Sequence, residues 1–236
     1  MANEFAATVA MYLELLQKLI ATPSLSRQED RTADLIEGFL RRQGLSPQRH
    51  LNNVWLRARN WREGQPVILL NSHHDTVKAA AGYTREPHHA EISDGKLYGL
   101  GSNDAGGALV SLISTFVTLE NDSNLGCNLI LAATAEEEIS GPNGITVLLP
   151  LLGKIDAGIV GEPTLLDLAV AERGLVVIDG EAKGVSGHAA RKEGVNALYL
   201  ALEDIRTIRD HVFSRPSEKL GPTSAAVTQI AAGTQH

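Results

Sequence analysis

Apolar residues recur along this chain at two different spacings. Tyr12, Leu16, Leu19 and Ile20 follow a helical period and predict an amphipathic first helix. Ser26 and Glu29 form a capping-box pattern. Leu35, Ile36, Phe39 and Leu40 then mark one face of a second helix, and Gly44 is its natural stop. Residues 54–58 predict a short strand. Val67, Ile68, Leu69 and Leu70 form a continuous apolar run after Pro66, the pattern of a buried strand inside a sheet. Asp94-Gly95 predicts a hairpin turn between residues 90–92 and 96–98. A helix over 106–119, a buried strand over 128–133, a helix over 144–152 and a third buried strand over 157–160 follow. This alternation predicts an α/β layer structure, a mixed, mostly parallel sheet flanked by helices.

The pattern changes near residue 166. Residues 168–171 and 175–182 read as two strands joined by Glu172-Arg173-Gly174, followed by a helix over 195–212 and a strand over 225–231. The expectation is a first domain over residues 1–166 and a smaller α+β domain over 167–236.

Composition narrows the possibilities. The 236 residues carry a net charge of −7, which argues against a nucleic-acid or anionic-membrane surface. Aromatic residues are 4%, so Leu, Val, Ile and Ala must fill the core. Cys127 is the single cysteine, which excludes an internal disulfide framework and a multi-cysteine metal site and fits a cytoplasmic setting. No run reaches the roughly 18 apolar residues of a membrane span, and no secretory leader is evident.

The chemistry gathers where predicted strands end, the crevice in which open α/β sheets bind ligands. The first such segment is Asn71-Ser72-His73-His74-Asp75. A neutral imidazole suits a borderline metal, and a carboxylate two residues on can take its other ring N–H. That spacing favours His73 as the ligand, with His74 left open. Asp104 lies in the glycine-rich segment 99–107, where the backbone can crowd a ligand and a carboxylate could bridge two metals. That segment lacks the Lys-Ser/Thr ending of a phosphate-binding loop. Glu136-Glu137-Glu138 follows a buried strand, where adjacent acids repel unless exposed or neutralised by cations. One could bind metal while its neighbour acts as a general base. Glu162, stiffened by Pro163, follows the third strand. Singly these are ordinary polar loops and caps. Together they offer one imidazole and several carboxylates, a set that suits Zn²⁺ or Co²⁺ better than Mg²⁺ or Ca²⁺.

With these motifs in this order, the chain resembles the two-metal amidohydrolases that include acetylornithine deacetylase, succinyl-diaminopimelate desuccinylase, aminoacylase and carboxypeptidase-G type enzymes. The resemblance implies a zinc-exopeptidase-like fold with a smaller inserted lid and dimerisation domain. It implies that His73 and Glu162 bind the first metal, that Glu138 binds the second, and that Asp104 bridges both, with a cis peptide to Ala105. Asp75 would orient His73, and Glu137 would be the general base. Glu136 receives no direct role. Gly184-Val185-Ser186-Gly187-His188 resembles the family motif whose histidine polarises the scissile carbonyl, generally in the partner subunit's site. His188 is thus a candidate oxyanion stabiliser.

The sequence around His188 resembles the acetylornithine deacetylase-like branch. The implied reaction is N-acetylornithine to ornithine plus acetate, in arginine biosynthesis, by a cytoplasmic homodimer with two zinc or cobalt ions. A desuccinylase or dipeptidase on the same scaffold, or an inactive metal-binding fragment, are the alternatives. Leu100 stands where the family commonly has Arg, so an ion pair or turn contact is expected to be absent. The family pattern also continues for on the order of a hundred residues past His236 and brings a late histidine to the second metal. The expectation is therefore of a C-terminally truncated chain, and His236 does not match that ligand.

Overall fold

Both long apolar runs become neighbouring strands of one sheet. The computed structural model describes residues 2–188, 191 and 193–233. The chain divides into two compact units, Met1–Leu166 and Asp167–His236. The first contains α1 (Ala2–Ile20), α2 (Asp30–Arg42), β1 (Gln48–His50), β2 (Asn53–Arg57), β3 (Val67–His73), β4 (Glu91–Ser93) and β5 (Lys96–Tyr98). It continues with α3 (Ala108–Leu119), β6 (Asn128–Thr134), α4 (Ile145–Leu152) and β7 (Ala157–Val160). The main sheet has the order β1-β2-β6-β3-β7. β3 pairs in parallel with β6 and β7, and β2 alone runs against the rest. β4 and β5 form a separate hairpin whose turn residues, Asp94 and Gly95, both have positive φ, as an Asp-Gly turn of this kind requires.

Every position of β6 is buried because helices cover both faces of the sheet. Leu129, Leu131 and Ala133 pack with Ile36, Phe39, Leu109 and Phe116 of α2 and α3, while Ile130 and Ala132 pack with Leu148 and Leu152 of α4. This is the two-residue alternation of a strand, apolar on both sides.

Register decides where the chemistry collects. β3 and β6 pair from Val67 with Asn128 through His73 with Thr134, so they finish flush. β7 ends with Val160 opposite Asn71, at the same edge. β2 runs the other way, with Val54 opposite Ala133, so the turn entering β2 arrives there too.

Several expectations need correction. The capping box does not form: α2 begins at Asp30, Glu29 occupies the cap position, and no side chain caps the helix. Ser26 and Glu29 bond elsewhere, as described below. β7 is not buried: among the described residues it bonds to β3 alone, and its four residues are exposed. An apolar run reports strand character but not whether a second neighbour lies beside it.

In the second unit the expected helix is α5 (Ala197–Asp210), with the Asn196 side chain accepting from the Leu198 N–H at 2.9 Å. The three strands expected over 168–171, 175–182 and 225–231 do not form among the described residues. Only the isolated bridges Val185–Val195 and Ser217–Gly221 occur there. Val170 and Leu175 to Ile178 stay exposed. A strand exists only through a hydrogen-bonded partner, and β propensity does not supply one. Among the described residues, no helix is long and apolar enough to cross a membrane.

Candidate metal centre

Each strand that ends at the common edge hands a polar residue to one place. His73 is the last residue of β3, residues 136–138 follow β6, and Glu162 follows β7. Asp104 comes from the turn before α3, where its backbone is non-helical and its peptide bond to Ala105 is cis. His73 Nε2 lies 3.1 Å from Asp104 Oδ1, 3.8 Å from Glu137 Oε2 and 3.9 Å from Glu162 Oε1. His73, Asp104 and Glu138 each present a ligand atom, all within 4.8 Å of one another.

Asp75 fixes this arrangement from below. The His73 Nδ1–H donates to the Asp75 carbonyl at 3.0 Å and lies 3.4 Å from the Asp75 carboxyl, which turns Nε2 toward the other acids. Asp75 is fully buried and accepts from Ser26 Oγ at 2.7 Å and from the backbone N–H groups of Glu137 and Glu138, both at 3.1 Å. One carboxyl therefore orients the imidazole and anchors the acidic loop.

The electrostatics follow from this geometry. Burial pushes the His73 imidazole down, but the Asp75 hydrogen bond and the charges of Asp75, Glu162 and Glu137 outweigh it and hold the group up at about 9. Burial pushes Asp75 up, and the hydrogen bonds from His73, Ser26 and the two backbone amides reverse that to a net lowering. Glu138 is raised, first by burial and then by the Asp104 charge. Glu162 is raised by burial, opposed by His73 and reinforced by Glu137, Asp104 and Glu138. A ring of acids that disfavours its own ionisation is relieved by a cation, and one imidazole with several carboxylates is a donor set for a divalent metal.

The adjacent histidine has a different fate. His74 Nε2–H donates to the Asn52 carbonyl at 3.0 Å, which leaves Nδ1 to accept from the Thr32 hydroxyl at 2.9 Å. Burial, the largest influence, holds its pKa down to about 4. Both His74 nitrogens are engaged away from the acids, so of the two histidines only His73 presents a ring nitrogen to the cluster.

The residues that hold the acidic loop were not foreseen. Ala135 N–H donates to Asn53 Oδ1 at 3.0 Å, and Asn53 Nδ2 donates to the Asn143 carbonyl at 2.8 Å. Asn143 Nδ2 donates to Glu136 Oε1 at 2.9 Å, so Glu136 turns inward and is buried while its neighbours face the cluster. The glycine-rich turn is also closely packed against its own surroundings. Gly101 has φ 73° and a Cβ there would meet the Thr76 side chain at 2.7 Å, while one on Gly106 would meet the Gly101 carbonyl at 2.5 Å. Leu100 is buried with its N–H on the Pro87 carbonyl at 2.7 Å. A cavity of about 290 Å³, lined by residues including Thr76, Val77, Tyr83, Asp104 and Glu138, opens on the cluster.

His188 belongs to the second unit, between the two residues of the Val185–Val195 bridge, and its carbonyl accepts from the Arg191 N–H at 2.9 Å. Ala189, Ala190 and His236 lie outside the described residues.

Comparison with known proteins fits this geometry. The acetylornithine deacetylase of Edwardsiella ictaluri (strain 93-146) is 31% identical over 220 residues, covering 86% of this chain and 57% of that protein. The succinyl-diaminopimelate desuccinylase 2 of Ruegeria sp. (strain TM1040) is 27% identical over 240 residues, covering 94% of this chain and 60% of that protein. The chain thus spans less than two thirds of either relative. The Bacillus subtilis YxeP protein, described as a dinuclear metal binding peptidase, superposes with a TM-score of 0.52 at 19% identity over 66% of this chain and 43% of its own. The family model of peptidase family M20/M25/M40 matches residues 69–232, so the chain belongs to that family.

Proposed function

We propose that the whole protein hydrolyses the amide bond of an N-acyl amino acid, with N-acetylornithine giving ornithine and acetate in arginine biosynthesis. The observation that carries this reading is the convergence of His73, Asp104 and Glu138 to within 4.8 Å, with Glu137 and Glu162 beside His73. The name of the 31% identical relative supports the choice of acyl group and amino acid.

In this reading His73, Asp104, Glu138 and Glu162 would hold two zinc or cobalt ions. When bound, the metals polarise the attacking water and the amide carbonyl. Asp75 keeps Nδ1 of His73 protonated and Nε2 directed at the site. Glu137 is half-exposed beside His73 and receives the proton of the attacking water. As the C–N bond breaks, Glu137 returns that proton to the departing amine nitrogen, so the products are a carboxylate and a free amine. His188, from the lid and dimerisation domain of a cytoplasmic homodimer, donates to the developing oxyanion.

A desuccinylase is the second reading, favoured by the 27% identical relative. The test is a panel of N-acetylornithine, N-succinyl-diaminopimelate and a dipeptide, offered to the full-length protein with and without chelator. Chelator-sensitive release of ornithine from N-acetylornithine, faster than any other release, is the expected result. Preference for the succinyl substrate or the dipeptide overturns the deacetylase assignment, and release that survives chelation overturns the metal.

A further inference from the structure

We infer that Glu29 is a positioning residue that sets the loop carrying Glu137 and Glu138, from a site 107 residues away in sequence. This inference rests on the proposal that Glu137 and Glu138 serve the reaction. The carboxyl group of Glu29 is fully buried and makes three hydrogen bonds, all as acceptor. Oε1 takes the N–H of Arg27 at 2.7 Å and the N–H of Glu136 at 3.1 Å, and Oε2 takes Asn52 Nδ2 at 2.9 Å. None of these donors belongs to α2, so the position of Glu29 before the helix does not account for its side chain.

The acidic loop explains it better. Three successive backbone N–H groups, those of Glu136, Glu137 and Glu138, each end on a buried carboxyl: the first on Glu29, the next two on Asp75. Glu136 is left-handed at φ 56°, so this loop turns sharply as it leaves β6. The segment that carries Glu29 also supports Asp75, since Ser26 donates to the Asp75 carboxyl and Thr76 N–H donates to the Ser24 carbonyl at 2.9 Å. Residues 24–29 therefore clamp the loop after β3 and the loop after β6 together. Glu29 fixes the start of the second loop, and with it the placement of Glu137 and Glu138 relative to His73. Without that acceptor the Glu136 N–H is left unpaired inside the protein, and the loop has a reason to move.

The experiment compares Glu29→Ala, Glu29→Gln and Glu120→Gln in the full-length protein. Glu120 is a buried carboxyl paired with Arg59 next to β2, near the opposite end of the sheet, and serves as a control for loss of stability alone. Melting temperature, kcat, KM and cobalt affinity by chelator competition are measured for each. Glu29→Ala should lower kcat about 10–100-fold with KM within about threefold, and weaken cobalt binding about tenfold or more. Glu29→Gln keeps an oxygen for the Glu136 N–H and should recover most of both. Glu120→Gln should lower the melting temperature and leave kcat and cobalt affinity at wild-type values.

Wild-type kcat and cobalt affinity in a destabilised Glu29→Ala overturn the inference, as does a Glu29→Gln as damaged as Glu29→Ala. If Glu29→Ala does not fold, Glu29→Asp, one methylene short of the Glu136 N–H, gives the same reading. A kcat at least about tenfold down in a cooperatively melting Glu29→Asp supports the inference, and wild-type kcat overturns it. If the wild type turns over none of the substrates, cobalt affinity still decides: weakening in Glu29→Ala upholds the inference while the proposed substrate falls. A wild type that binds no cobalt sinks both.

Discussion

His73 and His74 are adjacent in sequence, yet they belong to two polar regions built on opposite principles. The region around His74 is closed. Thr32, Asn52, Glu29, Glu136, Asn143 and Asn53 form a nearly continuous chain of hydrogen bonds from α2 to the loop after β6. Inside a protein such a network is favourable only when its donors and acceptors are matched. The region around His73 is left unbalanced: Asp104, Glu137, Glu138 and Glu162 crowd one imidazole, and Glu138 and Glu162 are pushed toward their protonated forms. The first region is matched within itself and the second is left in want of a cation, with Glu29 tying the two together through the Glu136 N–H.

Away from Glu29, which belongs to the closed network and also holds the start of the acidic loop, substitutions on the two sides should separate accordingly. The largest effect belongs to His73→Ala. Removing the single imidazole from the acid ring should abolish metal binding and lower turnover by about 10³-fold or more, read by bound zinc and by kcat. Retained zinc and turnover would remove His73 from the ligand set.

His74→Ala should do the reverse. It empties a packed site and leaves the Asn52 carbonyl without its ring N–H partner, while the Thr32 hydroxyl keeps the Glu29 carbonyl, at a cost of about 2–4 kcal/mol, and zinc per folded chain is kept. Its pH dependence has a definite sign. Folded His74 titrates at about 4 and the unfolded residue near 6.5, so below about 6.5 the unfolded state binds the extra proton. Wild-type stability should therefore fall between about pH 6.5 and about pH 4, by up to about 3 kcal/mol from this group. Urea melts at several pH values check this, and His74→Ala should flatten that part of the profile. Loss of zinc in a folded His74→Ala would erase the distinction between the two neighbours.

Asp75 stands on the boundary and should give an intermediate result. Asp75→Asn loses the charge that holds His73 and faces the Glu137 and Glu138 amides, and should weaken metal binding about 10–100-fold. Chelator competition measures it, and unchanged affinity would mean that the backbone carbonyl of residue 75 alone orients the imidazole. The smallest effect is on pH. Because His73 is held up at about 9 in the metal-free protein, a metal must displace its proton at neutral pH. Apparent affinity should rise with pH, at most about tenfold per unit, and level off near pH 9. Affinity that does not change with pH contradicts the assignment.

Much of the unbalanced region was legible in the sequence because its residues sit in short motifs at strand ends. His73 and Asp75, Asp104, Glu137 and Glu138, and Glu162 each follow an apolar run or precede a helix, and the register of β3, β6 and β7 then brings those ends together. The closed region was not legible. Glu29, Asn53 and Asn143 come from the segment before α2, the first position of β2 and the turn before α4, with no pattern in common, and their partners are set by tertiary packing. Ser26 and Glu29 did form a pattern, but a local one, and it pointed to a cap that long-range bonds replaced. The apolar run of β6 identified a buried strand because both faces are covered, whereas Leu175 to Ile178 carry the same kind of run, have no partner strand among the described residues and remain exposed.

The central claim is that the acid ring is a metal centre in which Glu137 moves the proton. The most direct measurement is zinc content and turnover of full-length Glu137→Gln beside the wild type. About two zinc ions per chain are expected in both proteins, with kcat of the variant down about 10²–10⁴-fold. Zinc lost together with activity would make Glu137 a ligand, and near-wild-type turnover would remove it from the chemistry.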